Sequence, residues 1–189
     1  MHTKELGGVL SGIAMQMDLL KRDVPGSLQQ RVKRVATRSR DAASKMRDVI
    51  WSVDASRDTF EDLEERMKAY INEMLYPLNI TWKFHSENIP ADYFINSITR
   101  QQVYLIFKEI ITNIAKHSEA TEVKVSMTMI DRKGIRVVIK DNGIGFDPQQ
   151  KSRGDGLRNM SARAQTIGAT LISDTEKGVI WTLTVPRVS

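Results

Sequence analysis

Asp141-Asn142-Gly143-Ile144-Gly145-Phe146-Asp147 is the stretch around which the chain is organised. It follows an alternating Ile-x-Val-x-Ile pattern at 135–139, which predicts a half-buried strand. An aspartate at the end of such a strand places a carboxylate where it can accept a hydrogen bond from a ligand amino group. Gly143 and Gly145 have no Cβ, so the backbone can adopt a positive φ and a flat ligand can lie against it. The alternative interpretation is an ordinary glycine-rich turn.

A second polar pattern lies on a long helix predicted from Ser97 to about His117. Glu109, Asn113 and His117 are spaced four apart, so they share one stripe, and Lys116 lies beside it. A carboxylate, a carboxamide and two potential cations in a row can hold a hydrated Mg²⁺ and polyphosphate oxygens, because Mg²⁺ keeps several waters and takes few protein ligands. The alternative is the solvated face of an amphipathic helix.

The third pattern is Gly154-Asp155-Gly156-Leu157, which precedes a helix predicted to run to about Ile167 with Gly168 as its C-cap. Backbone N–H groups at a helix N-terminus, with glycines for close approach, attract phosphate. The short polar segment between Phe146 and Gly154 suits a lid over a nucleotide. An ordinary helix-entry loop is the alternative for this segment alone, but the three patterns together, in this order, indicate a nucleotide site.

Two apolar helical stripes occupy the first third of the chain, separated by Asp23-Val24-Pro25-Gly26-Ser27, and Ser27 is the predicted N-cap of the second helix. The stripes comprise Leu6, Val9, Leu10, Ile13, Met17 and Leu20, then Leu28, Val32, Val35, Ala42, Met46, Val49, Ile50 and Val53. Pairing two such hairpins across a two-fold axis gives a dimeric four-helix bundle. The alternative is that both helices pack on the C-terminal domain. Because the first stripe starts without a cap, we expect the chain to be part of a longer one.

The remaining pattern predicts an α+β protein. A connecting helix, capped by Thr59 or Asp58 and ended by Pro77, leads into an α/β sandwich with a mixed, largely antiparallel sheet of about five strands. The predicted strands centre on Ile80–Phe84, Val123–Met129, Ile135–Ile139, Thr170–Asp174 and Val179–Val185. We therefore expect a helical hairpin over 1–57, the connecting helix over 58–76 and a nucleotide-binding domain over 77–189.

Composition narrows the class of protein. Of the 189 residues 41% are hydrophobic and 27% are charged, as in globular proteins. The absence of cysteine excludes disulfides and cysteine-metal sites. No apolar run approaches the roughly 20 residues of a membrane helix. The lack of cysteine fits a reducing compartment such as the cytoplasm. The net charge of +5 is spread along helical faces, and direct nucleic-acid binding is not predicted.

At these motifs the chain resembles the histidine-kinase branch of the gyrase/heat-shock-chaperone type ATPases. Glu109–His117 is similar to the N box of that family, Asp141–Phe146 to its first glycine box and Gly154–Arg163 to its second. The short lid resembles the sub-family that includes the nitrate-sensor type kinases. Leu6–Ile13 is similar to that sub-family's dimerisation helix just after the phosphoacceptor histidine, and Met46–Val53 to the end of its second helix.

The resemblance implies roles for the site residues, with ATP and Mg²⁺ as cofactors. Asp141 would accept from the adenine amino group, with Gly143 and Gly145 beside the ring. Asn113 would bind Mg²⁺, and Glu109 would help activate the attacking histidine or orient the metal's water. The other residues implied in the site face or shape the phosphate end: Lys116, His117, Gly154, Gly156 and Leu157.

The resemblance also implies an activity and partners. A two-component sensor histidine kinase autophosphorylates a histidine with ATP and passes the phosphoryl group to an aspartate on a response-regulator receiver domain. It acts as a homodimer, and a membrane would be reached only through a part of the protein N-terminal to this chain. The alternatives are a catalytically impaired nucleotide-binding scaffold and an anti-sigma-type serine kinase.

Two positions depart from the sub-family's pattern. An acidic residue usually follows the phosphoacceptor histidine, whereas this chain reads His2-Thr3-Lys4-Glu5-Leu6-Gly7. Aligned on Leu-Gly without a gap, Thr3 takes the acceptor position; with a one-residue insertion, His2 is the acceptor. In addition, Gly178 is followed by Val179 instead of the usual threonine. The loss of that hydroxyl predicts weaker nucleotide binding.

Overall fold

The computed structural model describes residues 2–20, 25–53, 59–90, 92–130, 134–145, 156–175 and 177–186. The chain divides into two compact units, Met1–Ala55 and Ser56–Ser189. The predicted lid between Phe146 and Gly154, and Gly154 itself, lie outside the described residues. Within the described residues, none of the helices combines the length and apolar character that a membrane span requires.

The first unit consists of two helices, α1 (His2–Leu20) and α2 (Gly26–Val53), which pack against each other. The small side chains of Ala14, Ala36 and Ala43 are fully buried, which permits close approach. Farther out, Arg40 on α2 donates a hydrogen bond to the Asp18 carboxylate on α1.

The start of α2 differs from the prediction. The helix already includes Gly26, and the carbonyl of Pro25 accepts from the N–H groups of Leu28 and Gln29 at 2.8 and 3.3 Å. Ser27 therefore lies inside the first turn, and its prediction as the N-cap is wrong. Pro25 directly precedes the helix and its carbonyl accepts the first helical bonds, so the helix begins one residue before Ser27.

The apolar stripes of the first unit are only partly covered. Val9 on α1 is 58% exposed, and on α2 Leu28 and Val35 are 41% and 44% exposed. All three belong to the predicted stripes. The packing of α1 on α2 thus leaves apolar surface that this unit does not bury by itself.

The second unit is an α+β domain whose elements match the predicted order. Thr59 caps the first helix, because its side chain accepts from the Asp62 N–H at 3.2 Å, as predicted. The elements are α3 (Phe60–Leu75), a short 3-10 turn (Tyr76–Leu78), β1 (Thr81–Glu87), α4 (Ser97–His117), β2 (Glu122–Ile130), β3 (Gly134–Asp141), α5 (Gly156–Thr166), β4 (Thr170–Asp174) and β5 (Ile180–Val185).

The five strands form one mixed sheet in the order β1-β2-β3-β5-β4. β1 pairs in parallel with β2, and the other neighbours are antiparallel. β3 is therefore the central strand, held on both sides, and its last residue is Asp141. This placement puts Asp141 at the end of the best supported strand of the domain.

Helix α4 covers one face of this sheet, and its bounds confirm the prediction. Its inward side chains meet those of β3 and β5 around a shared apolar interior. The residues that line this interior are Val103, Ile106, Phe107, Ile110, Val137, Ile139, Trp181 and Leu183. Helix α3 adds a second row of buried side chains and packs on α4. The predicted connecting helix is therefore part of this unit, and the polar stripe of α4 is positioned by packing on two sides.

Candidate nucleotide-binding site

Asp141 is a buried carboxylate at the end of β3. Asp141 is only 1% exposed, and its backbone N–H donates to the Val179 carbonyl at 3.1 Å. Oδ1 accepts from the Gly143 N–H at 2.9 Å. Oδ2 is buried and has no hydrogen-bond partner among the described residues. Since a buried acceptor without a partner is costly, this oxygen fits an incoming N–H donor.

The charge state of Asp141 reflects the same burial. Burial raises the pKa of the Asp141 carboxyl above its usual value, and the hydrogen bond from the Gly143 N–H acts in the opposite direction. A donor bound at Oδ2 would favour the ionised form further. The site is therefore built to gain electrostatic stabilisation when a ligand amino group arrives.

Three glycines allow the backbone to pack closely around this carboxylate. A Cβ on Gly143 would lie 2.0 Å from the Ser118 carbonyl oxygen, and one on Gly178 would lie 2.1 Å from the Asp141 carbonyl oxygen. Gly145 and Gly178 have φ of +73° and +87°. Gly143 is not among the residues with positive φ, so it is needed for space and not for its torsion.

The polar stripe of α4 has the predicted spacing and a graded exposure. Glu109 and Asn113 are half-buried, whereas Lys116 and His117 are exposed in the last turn. A half-buried carboxamide with cations one turn farther on suits a hydrated Mg²⁺ and its phosphates. The described part of the chain contains no cluster of three or more His, Asp or Glu side chains that could hold a metal ion. A Mg²⁺ ion held mainly by water does not need such a cluster.

The second glycine motif meets the stripe at Glu109. Gly156 is the first residue of α5, and a Cβ there would lie 2.4 Å from Glu109 Oε1. Leu157 follows half-buried. The carboxylate thus lies against the positive end of α5, and any larger residue at Gly156 would displace it.

Sequence reasoning missed two polar links of the site. Gln102 accepts from Arg163 Nη1 at 3.0 Å, which fastens α5 to α4. Asn142 joins the glycine turn to the segment after α4 through its side chain. Both partners lie far apart in the sequence, so no local pattern signals them. His2, by contrast, begins α1 in the first unit, whereas the proposed nucleotide residues belong to the second.

Residues 98–188 match the family described as "Histidine kinase-, DNA gyrase B-, and HSP90-like ATPase". Among curated proteins, the sensor histidine kinase YvfT of Bacillus subtilis (strain 168) is 29% identical over 97% of this chain. The nitrate/nitrite sensor protein NarQ of Escherichia coli (strain K12) is 27% identical over 88% of this chain. The chain covers 47% of YvfT and 30% of NarQ, that is, half of these relatives or less.

A solved structure extends the likeness in fold to both units. The histidine kinase domain of the Erythrobacter litoralis EL346 blue-light activated histidine kinase has a TM-score of 0.61 at 17% identity, covering 95% of this chain and 94% of that one. Residues 98–188 therefore match that ATPase family, and the relatives of the whole chain support a histidine kinase catalytic core. NarQ, a nitrate/nitrite sensor protein, supports the likeness to the nitrate-sensor sub-family.

Proposed function

We propose that this chain binds ATP with Mg²⁺ at the site around Asp141 and phosphorylates a histidine, His2. The observation that carries the proposal is the buried Asp141 Oδ2, which lacks a partner among the described residues. It offers the acceptor that an adenine amino group requires, and the glycines beside it let the backbone pack closely around this carboxylate. An aspartate on the receiver domain of a response regulator would then receive the phosphoryl group from His2.

The proposed roles of the site residues are those that the sequence resemblance implies. Asn113 would hold the Mg²⁺, which when bound neutralises phosphate charge. Glu109 would orient the attacking imidazole or the metal's water. Lys116 and His117 would face phosphate oxygens. The phosphate end of the site would be shaped by Gly154, Gly156 and Leu157. In the transfer, an imidazole nitrogen of His2 forms a bond to the γ-phosphorus while the bond to the ADP oxygen breaks.

The organisation of the whole protein belongs to the same proposal. We assign a hairpin to 1–57, a connecting helix to 58–76 and the ATP-binding domain to 77–189; the compact units divided at Ala55 and Ser56 support the first boundary. The chain would be the cytoplasmic part of a longer, membrane-anchored sensor. This location is in keeping with its sensor-kinase relatives, of which it covers half or less.

Incubation with γ-labelled ATP and Mg²⁺ is expected to give an acid-labile, base-stable label on the protein. His2→Gln should remove the label and Thr3→Ala should retain it, because imidazole and not hydroxyl is the proposed nucleophile. Label that survives in His2→Gln but not in Thr3→Ala would reverse the assignment. Acid-stable label on a separate partner protein would favour the serine kinase, and bound ATP without label would favour the scaffold.

The proposed homodimer rests on the partly exposed stripes of the hairpin. Val9→Glu combined with Val35→Glu should convert a dimer to a monomer, because two charges would enter the apolar face. Sedimentation would detect the change from twice the monomer mass to the monomer mass. The matched control, Gln16→Glu combined with Gln30→Glu, adds the same charge at exposed polar positions of the two helices and should remain dimeric. Equal behaviour of the two double variants would argue against this interface.

A further inference from the structure

The Asn142 side chain makes three hydrogen bonds to the segment that follows α4. Its Oδ1 accepts from the backbone N–H groups of Thr121 and Glu122, each at 2.9 Å. Its Nδ2 donates to Thr121 Oγ1, also at 2.9 Å. The Asn142 backbone N–H adds a bond to the Glu122 carbonyl at 3.2 Å. An exposed residue thus uses both ends of its amide to hold one neighbouring segment.

A second link joins the same turn to the end of α4 itself. The Ile144 N–H donates to the Ser118 carbonyl at 2.8 Å, and Gly143 approaches that carbonyl too closely for a side chain. Ser118 is buried and caps α4, since its N–H and its hydroxyl both donate to the Ile114 carbonyl. The turn at 141–145 is therefore hydrogen-bonded both to the C-terminal end of α4 and to the start of β2.

We infer that Asn142 is a positioning residue for ATP: it holds the turn at 141–145 so that Asp141 Oδ2 is already aimed at the ligand before binding. It acts through the turn and not by contact with the nucleotide. This inference rests on the proposed function, because it takes Asp141 as the adenine acceptor. A turn ordered in advance costs no conformational entropy at binding, so its loss should appear as weaker affinity for the amino group.

The test compares ATP with purine riboside triphosphate, which lacks the 6-amino group. Asn142→Ala should weaken ATP binding about five- to twentyfold, as expected for the loss of pre-organisation around one charge-assisted hydrogen bond. Binding of purine riboside triphosphate should change less than about threefold, since it makes no bond to Oδ2. Calorimetry gives both affinities. Asn142→Asp retains the Oδ1 acceptor and lets the Thr121 hydroxyl donate, so it should recover most of the ATP affinity.

Controls separate this role from a general effect on the fold. Lys140→Ala changes an exposed neighbour on β3 and should bind both nucleotides as the unaltered protein does. Melting temperatures without nucleotide report folding, and Thr121→Val, which removes only the Nδ2 acceptor, replaces Asn142→Ala if that variant does not fold. A smaller loss of ATP affinity, again without loss for the analogue, is then expected.

The outcomes distinguish this inference from the proposed site. An equal loss for both nucleotides, or no loss for either, overturns the positioning role of Asn142. Asp141→Asn is measured in parallel. If that variant binds ATP as tightly as the unaltered protein, the adenine assignment itself fails. If it weakens ATP and Asn142→Ala does not, only the role of Asn142 is lost.

Discussion

Asp141→Asn is expected to weaken ATP binding more than about tenfold, which corresponds to about 1.4 kcal/mol. Asparagine can still accept the Gly143 N–H through Oδ1, so the local turn is retained. At the other oxygen, however, an NH₂ group would replace a charged acceptor and would face the adenine amino group donor to donor. The loss therefore falls on a charge-assisted hydrogen bond and not on the fold. Calorimetric titration with ATP measures it, and unchanged affinity would show that adenine binds elsewhere.

The same substitution should leave the ligand-free protein as stable or more stable. A buried carboxylate whose second oxygen has no partner among the described residues is costly, and a neutral amide costs less. The pKa of Asp141 is raised by burial, so the folded protein binds this proton more tightly than the unfolded chain. The protonated Asp141 therefore contributes to the stability of the fold at a pH below the pKa that it has in the unfolded chain. This contribution is lost as the pH rises through the pKa that Asp141 has in the folded protein. The advantage of Asp141→Asn in melting temperature should therefore be seen at neutral pH and shrink on acidification.

Asn113→Ala is expected to lower Mg²⁺-dependent phosphorylation about a hundredfold, or about 2.7 kcal/mol in the barrier. The half-buried carboxamide lies on the polar stripe of α4, where it would hold the metal on the phosphates. Without it the phosphate charge is less well neutralised and the γ-phosphoryl group is less well placed. Initial rates of label incorporation measure this effect.

Titrations with and without Mg²⁺ show whether the metal is the cause. Asn113→Ala should lose the increment in ATP affinity that Mg²⁺ provides and keep the affinity measured without the metal. Gln101→Ala, about three turns earlier on the same helix, serves as the control and should behave as the unaltered protein. Equal activity of Asn113→Ala and Gln101→Ala would remove Asn113 from the metal site.

Local patterns in the sequence predicted the elements of the second unit well. The apolar spacing in α4 and the alternation in β2 and β3 arise from burial on one face, which is written in consecutive residues. The Asp-x-Gly-x-Gly pattern likewise indicated a carboxylate at a strand end. Its burial, its Oδ2 without a partner among the described residues, and its backbone contacts with Gly178 and Val179, almost 40 residues later, required the structure.

Features that depend on distant partners could not be predicted in the same way. Nothing in the pattern of β1 shows that it pairs in parallel with β2 across the intervening helix. The role of Asn142 depends on Thr121, whose place beside the turn follows from the pairing of β2 with β3. Ser27 shows the opposite error, because a strong local preference predicted a cap where the helix has already begun.

The parallel pairing of β1 with β2 has a consequence for how the domain assembles. Thr81 meets Glu122 about 40 residues later, and all of α4 lies between them. β2 and β3, in contrast, join across a short connection. The edge strand must wait for a long loop to close, a step whose entropic cost is repaid only once the helix has docked. We therefore expect strand β1 and the helix that carries Asn113 to form late and together, so that a substitution that loosens either of them destabilises both.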